Sequence, residues 1–311
     1  MACFSRRGTR AVAVVFTCVF AGAAQAQSNL DIFLLIGQSN MAGRGPMTHA
    51  DSVTDIAGAW LLKDTSGWEP ARNPLNKYSA EEYGSSANQV GPGFGFATEI
   101  HRLSPKISLG LVVNARGGSA LKEWTKGTKY YADAVARTRY AMKSGTLKGI
   151  LWHQGESDNG DTAYVTRLQG FIDSLRKDLG RPDLPFIAGQ LGPWGTKYAG
   201  FNARIPALVA RVPHTAVVRT DSLVDKGDST HFDRASQIKL GQRYAAAAWT
   251  LVYKDGTVTL KLPRQSGIAA VAGFRSGPAS LGRDAAGRTI SARKNSARFP
   301  LVPVSAEAPK P

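Results

Sequence analysis

Residues 30–41 read LDIFLLIGQSNM, and how this stretch is taken decides the fold. An apolar run over 30–36 stops at Gly37. Four further runs have the same shape. The run 107–113 (ISLGLVV) ends at Asn114-Ala115-Arg116-Gly117-Gly118, and 147–152 (LKGILW) ends at His153-Gln154-Gly155-Glu156. The others are 184–188 (LPFIA) and 215–219 (TAVVR). Continuous apolar runs of this length suit strands buried on both faces, as in a parallel sheet. Helical apolar spacing lies between them, over 94–103, 131–142, 164–179, 201–212 and 234–253. The alternation predicts an α/β fold, a three-layer α/β/α sandwich around a mainly parallel five-stranded sheet. In such open sheets, functional residues gather at the carboxyl ends of the strands.

The remainder of the chain fits around this core. With 311 residues and 43% hydrophobic content, a full core is affordable and wholesale disorder is excluded. Residues 41–93 depart from a simple βα unit. They are rich in Gly, Pro, Ser and Asn, with scattered Trp60, Trp68, Tyr78 and Tyr83. At the N-terminus, Arg6, Arg7 and Arg10 precede an apolar run over 11–23 and then Ala24-Gln25-Ala26. This is the pattern of an export signal, with cleavage expected after Ala26 and a periplasmic or secreted product. The run is short of the roughly 20 apolar residues that a membrane span needs, so no membrane span is expected. Both cysteines, Cys3 and Cys18, fall inside this segment. The expected organisation is a signal peptide over 1–26, a catalytic domain over 27–262, and a basic Gly/Ala/Pro-rich tail over 263–311, partly ordered at most.

The formal net charge is +16, from 39 Lys+Arg against 23 Asp+Glu. Three of those cations lie in the export segment. The tail holds eight Lys/Arg against Asp284 and Glu307. The domain between them is only mildly basic and has no Arg/Lys-dense helix, so nucleic acid is not an expected partner. The tail is a candidate for weak binding to anionic surfaces. The rival to an enzyme is a non-catalytic binding protein for an anionic envelope polymer or glycan, which predicts no turnover and salt-sensitive retention.

Chemistry-bearing residues stand at the strand ends. Ser39 follows the first strand directly, where its hydroxyl would stand at the top of the sheet. Met41 breaks the G-x-S-x-G pattern and argues against a nucleophile elbow of the α/β-hydrolase kind. Asp228-Ser229-Thr230-His231 follows the fifth strand. Three-residue spacing lets Asp228 accept from Nδ1–H of His231, which frees Nε2 to take a proton from a serine. Gly117-Gly118-Ser119 offers unobstructed backbone N–H groups, and Gln154 offers a side-chain amide. His153, Glu156 and Asp158 are metal-ligand types, but no second histidine cluster supports them, and neither metal nor cofactor is expected. Trp124, Trp152, Trp194 and Tyr83 are candidate walls for stacking a sugar.

Taken in order, Gly-Gln-Ser-Asn-Met, Gly-Gly-Ser with Trp124 nearby, His-Gln-Gly-Glu and Asp-x-x-His resemble the blocks of the SGNH hydrolase superfamily. More narrowly, they are similar to its sialate O-acetylesterase and acetylxylan esterase branch of carbohydrate esterases. The resemblance runs from about Leu30 to Tyr253. It implies a flavodoxin-like sandwich, with Ser39 as nucleophile, His231 as base and Asp228 as its orienter. It implies an oxyanion hole from the Ser39 N–H, the Gly117 N–H and the Gln154 amide, with Asn40, Gly118 and Glu156 in support. Gly117 fits the Gly-x-Ser spacing better than Gly118. Glu156 is either a second carboxylate partner for His231 or a structural acceptor buried behind the site. The activity implied is cofactor-free removal of O-acetyl groups from an acetylated carbohydrate, through an acetyl-enzyme.

Overall fold

The computed structural model describes residues 28–253 apart from residue 65. Residues 1–26, where an export signal is expected and where both cysteines stand, and the basic stretch 263–311 lie outside the described residues. The chain runs β1 (Leu30–Gly37), α1 (Ser39–Ala42), α2 (His49–Val53), β2 (Ala59–Leu62), β3 (Trp68–Pro70), α3 (Pro92–Leu103) and β4 (Leu109–Val113). It continues through α4 (Lys129–Ala141), β5 (Gly145–His153), α5 (Tyr164–Asp178), β6 (Phe186–Gly189), α6 (Ala199–Arg204), α7 (Ala207–Arg211), β7 (Thr215–Val218) and α8 (Arg234–Ala248).

One sheet holds all seven strands, in the order β3-β2-β4-β1-β5-β6-β7. Every neighbouring pair is parallel except β2 with β3. The five expected strands form its middle and one flank. The two extra strands come from the irregular stretch 41–93. Leu61 and Leu62 of β2 are fully buried beside β4, which extends the sheet, and the short β3 closes that edge with Pro70. Proline suits an edge because it cannot donate to a further strand.

Strand β1 shows why the runs are continuous. Ile32, Leu34 and Ile36 face one hydrophobic cluster, which includes residues of α4, α5, α6 and α7. Phe33 and Leu35 face the other, which includes residues of α3 and α8. Period-two alternation therefore puts apolar side chains on both faces, as a three-layer sandwich requires. The helix expected over 201–212 is two short helices, because Pro206 has no N–H to continue the ladder. The last helix is regular only to Ala248 and ends in a π-helical turn, Trp249–Tyr253.

Helices α3 and α8 meet at glycines. A Cβ on Gly241 would lie 2.1 Å from the Pro92 carbonyl oxygen, and one on Gly95 would lie 2.0 Å from that of Ile238. Gly241→Ala should therefore force the helices apart and lower the unfolding free energy by about 1–3 kcal/mol, measured by urea titration. An unchanged midpoint would contradict this packing.

The sheet delivers the site. β1 lies between β4 and β5, where the strand order reverses, so its carboxyl end opens a crevice. Gln38 N donates to His153 O at 2.9 Å on one side, and Arg116 N donates to Gly37 O at 3.0 Å on the other. Gly37 has φ +136, and a Cβ there would lie 2.2 Å from His153 O, so only glycine lets β1 turn into Ser39 this close to β5.

Candidate active site

A cleft of about 570 Å³ opens at the carboxyl ends of β1, β4 and β5. Ser39, the first residue of α1, lies in it with only 6% of its surface exposed. His231 comes from the loop between β7 and α8. Its Nε2 stands 2.9 Å from Ser39 Oγ, and its Nδ1 stands 2.7 Å from Asp228 Oδ2. A carboxylate only accepts, so Nδ1 carries the hydrogen and Nε2 is left to accept from Ser39. Asp228 Oδ1 accepts from the backbone N–H of His231 at 2.7 Å and of Thr230 at 3.0 Å. Burial pushes the Asp228 carboxyl up, but the hydrogen bonds from the His231 ring and these N–H groups outweigh it and hold the group at about 2. The Asp228 carboxylate is thus charged at neutral pH. Asp233 caps α8 two residues further on by accepting from Ser236 N at 2.7 Å, which fixes where the loop must end.

Asn40 ties this loop to the sheet. It is fully buried, and its Nδ2 donates to Glu156 Oε1 at 2.6 Å and to Thr230 O at 3.0 Å. Its Oδ1 accepts from Phe232 N at 3.2 Å and Gln237 Nε2 at 3.3 Å. Glu156 lines the cleft beside Ser39, but its partner there is Asn40. The carboxyl bonds Asn40 and makes no hydrogen bond to His231. Burial pushes Glu156 up to about 7, opposed by the Asn40 bond. His153, 3.9 Å away, is driven the other way by burial, to about 3.

The sign of the Glu156 shift makes a stability prediction. The folded state favours the protonated form. This contribution is fully present below the ordinary value of 4.5 and is lost as pH rises toward 7. The loss amounts to about 3 kcal/mol. Glu156→Gln should remove that fall, so the variant gains on the native protein between about pH 5 and pH 8 in urea unfolding. Parallel pH dependence in both proteins would contradict a buried, titrating Glu156.

Two expected donors are placed otherwise. Gln154 is 1% exposed and does not line the cleft. Its Nε2 faces Asp158 Oδ2 at 2.6 Å, Ser119 O at 3.1 Å and Gln38 Oε1 at 3.2 Å, so acceptors within the protein already meet this amide. Gly117 does line the cleft, but its N–H donates to Glu82 Oε1 at 2.6 Å. Gly118 also lines it, at φ +72. Among the described residues, no three His, Cys, Asp or Glu side chains are grouped to hold a metal ion. Asp158 instead bonds Gln154 and the Leu121 N–H.

The stacking candidates also divide. Trp124 and Trp152 are core residues in edge contact at 5.7 Å, and Trp194 packs on Phe232 at 4.9 Å. Tyr83 alone is exposed, at 70%.

The cleft walls hold residues that motif reading passed over. Arg44 and Arg116 both reach Glu82 at 3.2 Å, and Lys197 lies opposite Thr230 and over the Tyr198 ring. Arg44 and Glu82 come from the irregular stretch 41–93. Glu82 joins residues 34–38 positions away, a separation that local spacing does not register. No helix among the described residues is long and apolar enough to cross a membrane.

Comparison with known proteins gives the same region a family. The model of a family described as carbohydrate esterase, sialic acid-specific acetylesterase, matches residues 29–250. A probable carbohydrate esterase of Arabidopsis thaliana is 32% identical over 238 residues, covering 70% of this chain and 89% of the relative. A solved structure from Arabidopsis thaliana superposes with a TM-score of 0.64 at 30% identity, covering 71% of this chain and 98% of that one. NanS superposes with a TM-score of 0.58 at 16% identity, covering 72% and 98%, a likeness of fold.

Proposed function

The chain belongs to the carbohydrate esterase family of sialic acid-specific acetylesterases, and from that premise we propose that it is an exported serine esterase that removes O-acetyl groups from carbohydrate. The observation that carries this reading is the continuous hydrogen-bonded row of Ser39, His231 and Asp228, of which Ser39 and His231 line the cleft. Ser39 Oγ attacks the acetyl carbonyl carbon while His231 Nε2 takes the hydroxyl proton. The oxyanion forms beside the Ser39 N–H. Collapse breaks the bond to the sugar oxygen, which receives the proton from the imidazolium. Water then attacks the acetyl-serine, passing a proton to His231. Release of acetate returns that proton to Ser39. Asp228 remains a carboxylate throughout, orienting the ring and stabilising its charged form. Export rests on the pattern of residues 1–26.

The walls bear on the sugar. Arg44, Arg116 and Lys197 bring three cations to the cleft, while one carboxylate, Glu82, serves both arginines. Glu156 at about 7 carries only part of a charge near neutrality. This balance supports a sugar that bears its own carboxylate, as a sialic acid does, over neutral xylan. Acetate release from O-acetylated sialic acid and from acetylated xylo-oligosaccharide tests it. The acidic sugar should be preferred, and salt should erode the preference. Faster, salt-insensitive release from the neutral oligosaccharide would contradict it.

A further inference from the structure

Gln38 carries an arrangement that the steps above leave unused. The residue is 3% exposed. Its Oε1 faces three donors: Gln154 Nε2 at 3.2 Å, Ser157 N at 3.3 Å and Gly155 N at 3.4 Å. Backbone N–H groups can only donate, so the amide atom on that side must be the oxygen. The Nε2 is thereby turned the other way, where it donates to no described residue. It is not sealed in the core either, because Gln38 lines the cleft beside Ser39 and its nitrogen is not among the fully buried unpaired atoms. A nearly buried amide donor without an acceptor is unfavourable unless something arrives to accept from it.

We propose that Gln38 is a catalytic residue whose Nε2–H joins the Ser39 N–H in holding the oxyanion of the tetrahedral intermediate. The assignment rests on the serine-esterase reading. It explains why the other donors can be spent elsewhere: Gln154 on Asp158, and Gly117 on Glu82. Gln154 then has a supporting part, since its Nε2 helps fix the Gln38 oxygen. With Oε1 held from three directions the amide cannot rotate, so the donor is in place before charge develops. Such preorganisation is what stabilises a transition state.

Gln38→Glu separates donor from scaffold. It keeps an oxygen for the three N–H groups and nearly the same shape, but offers no N–H to the cleft. With a small aryl acetate, kcat should fall about 10²–10³-fold. KM should change less than about threefold, since the interaction exists only in the transition state. The thermal midpoint should stay near the native one. Gln154→Ala should lower kcat less. A Gln38→Glu kcat within about tenfold of native, or a larger kcat loss in Gln154→Ala, would overturn the assignment. A crystal structure of Ser39→Ala with acetate gives a readout free of turnover. An acetate oxygen should accept from Gln38 Nε2, and acetate bound instead to Gln154 Nε2 or the Gly117 N–H would overturn it. If the unaltered protein hydrolyses no acetate ester, the esterase reading falls and this assignment falls with it. Turnover that Gln38→Glu leaves intact removes this assignment alone.

Discussion

Ser39→Ala is expected to lower turnover of a small aryl acetate by about 10⁴–10⁶-fold while leaving the fold in place. The side chain is small and the cleft is open, so removing the hydroxyl creates no core cavity. What is lost is the atom to which the acetyl group would bond. Because nucleophile and base act as a unit, His231→Ala in the same background should add little further loss. Water attacking directly, with His231 as base and Ser39 a bystander, would instead leave most of the activity. Such residual turnover would overturn the covalent route.

Asp228→Asn is expected to cost about 10³–10⁴-fold in kcat, the second largest effect. Asparagine can present its NH₂ where Oδ2 now accepts, which favours the wrong imidazole tautomer and leaves a forming imidazolium without its counter-charge. Glu156→Gln should cost about tenfold at most, because the amide oxygen still accepts from Asn40 and roughly one hydrogen bond's worth of positioning is at stake. Three-residue spacing points to Asp228 as the partner of His231, while the family resemblance leaves Glu156, in the His-Gln-Gly-Glu block, as a second partner or a structural acceptor. The contact at 2.7 Å from Asp228 and the 2.6 Å bond from Asn40 to Glu156 assign them different work. A larger loss from Glu156→Gln than from Asp228→Asn would reverse that assignment.

The middle of the fold was legible because its signals are local. A strand buried on both faces needs a continuous apolar run, and residues 30–36, 107–113 and 147–152 supply one each. β2 and β3 were not legible. Ala59–Leu62 is four residues long, and it is a strand because β4 offers it an edge, a fact set far away in the chain. The helix over 201–212 hid its break in a single proline whose effect depends on register. In the site, Ser39, Asp228 and His231 could be read from position after a strand and from three-residue spacing. The donors could not. Whether a glutamine offers its nitrogen or its oxygen to a cleft depends on which N–H groups surround it. For Gln38 those come from Gln154, Gly155 and Ser157, more than a hundred residues on. The partner of the Gly117 N–H was out of reach for a related reason, since Glu82 sits in a stretch without regular pattern.

The central claim is an acetyl group carried on Ser39. An aryl acetate has a good leaving group, so acylation is fast and the intermediate should accumulate. Mixing it with the protein, quenching in acid and weighing the digested peptides measures this directly. The account predicts one added acetyl group on the peptide containing Ser39, formed within the first turnover and absent from Ser39→Ala. Steady hydrolysis with no acetylated peptide, or with the acetyl group on another residue, would contradict it.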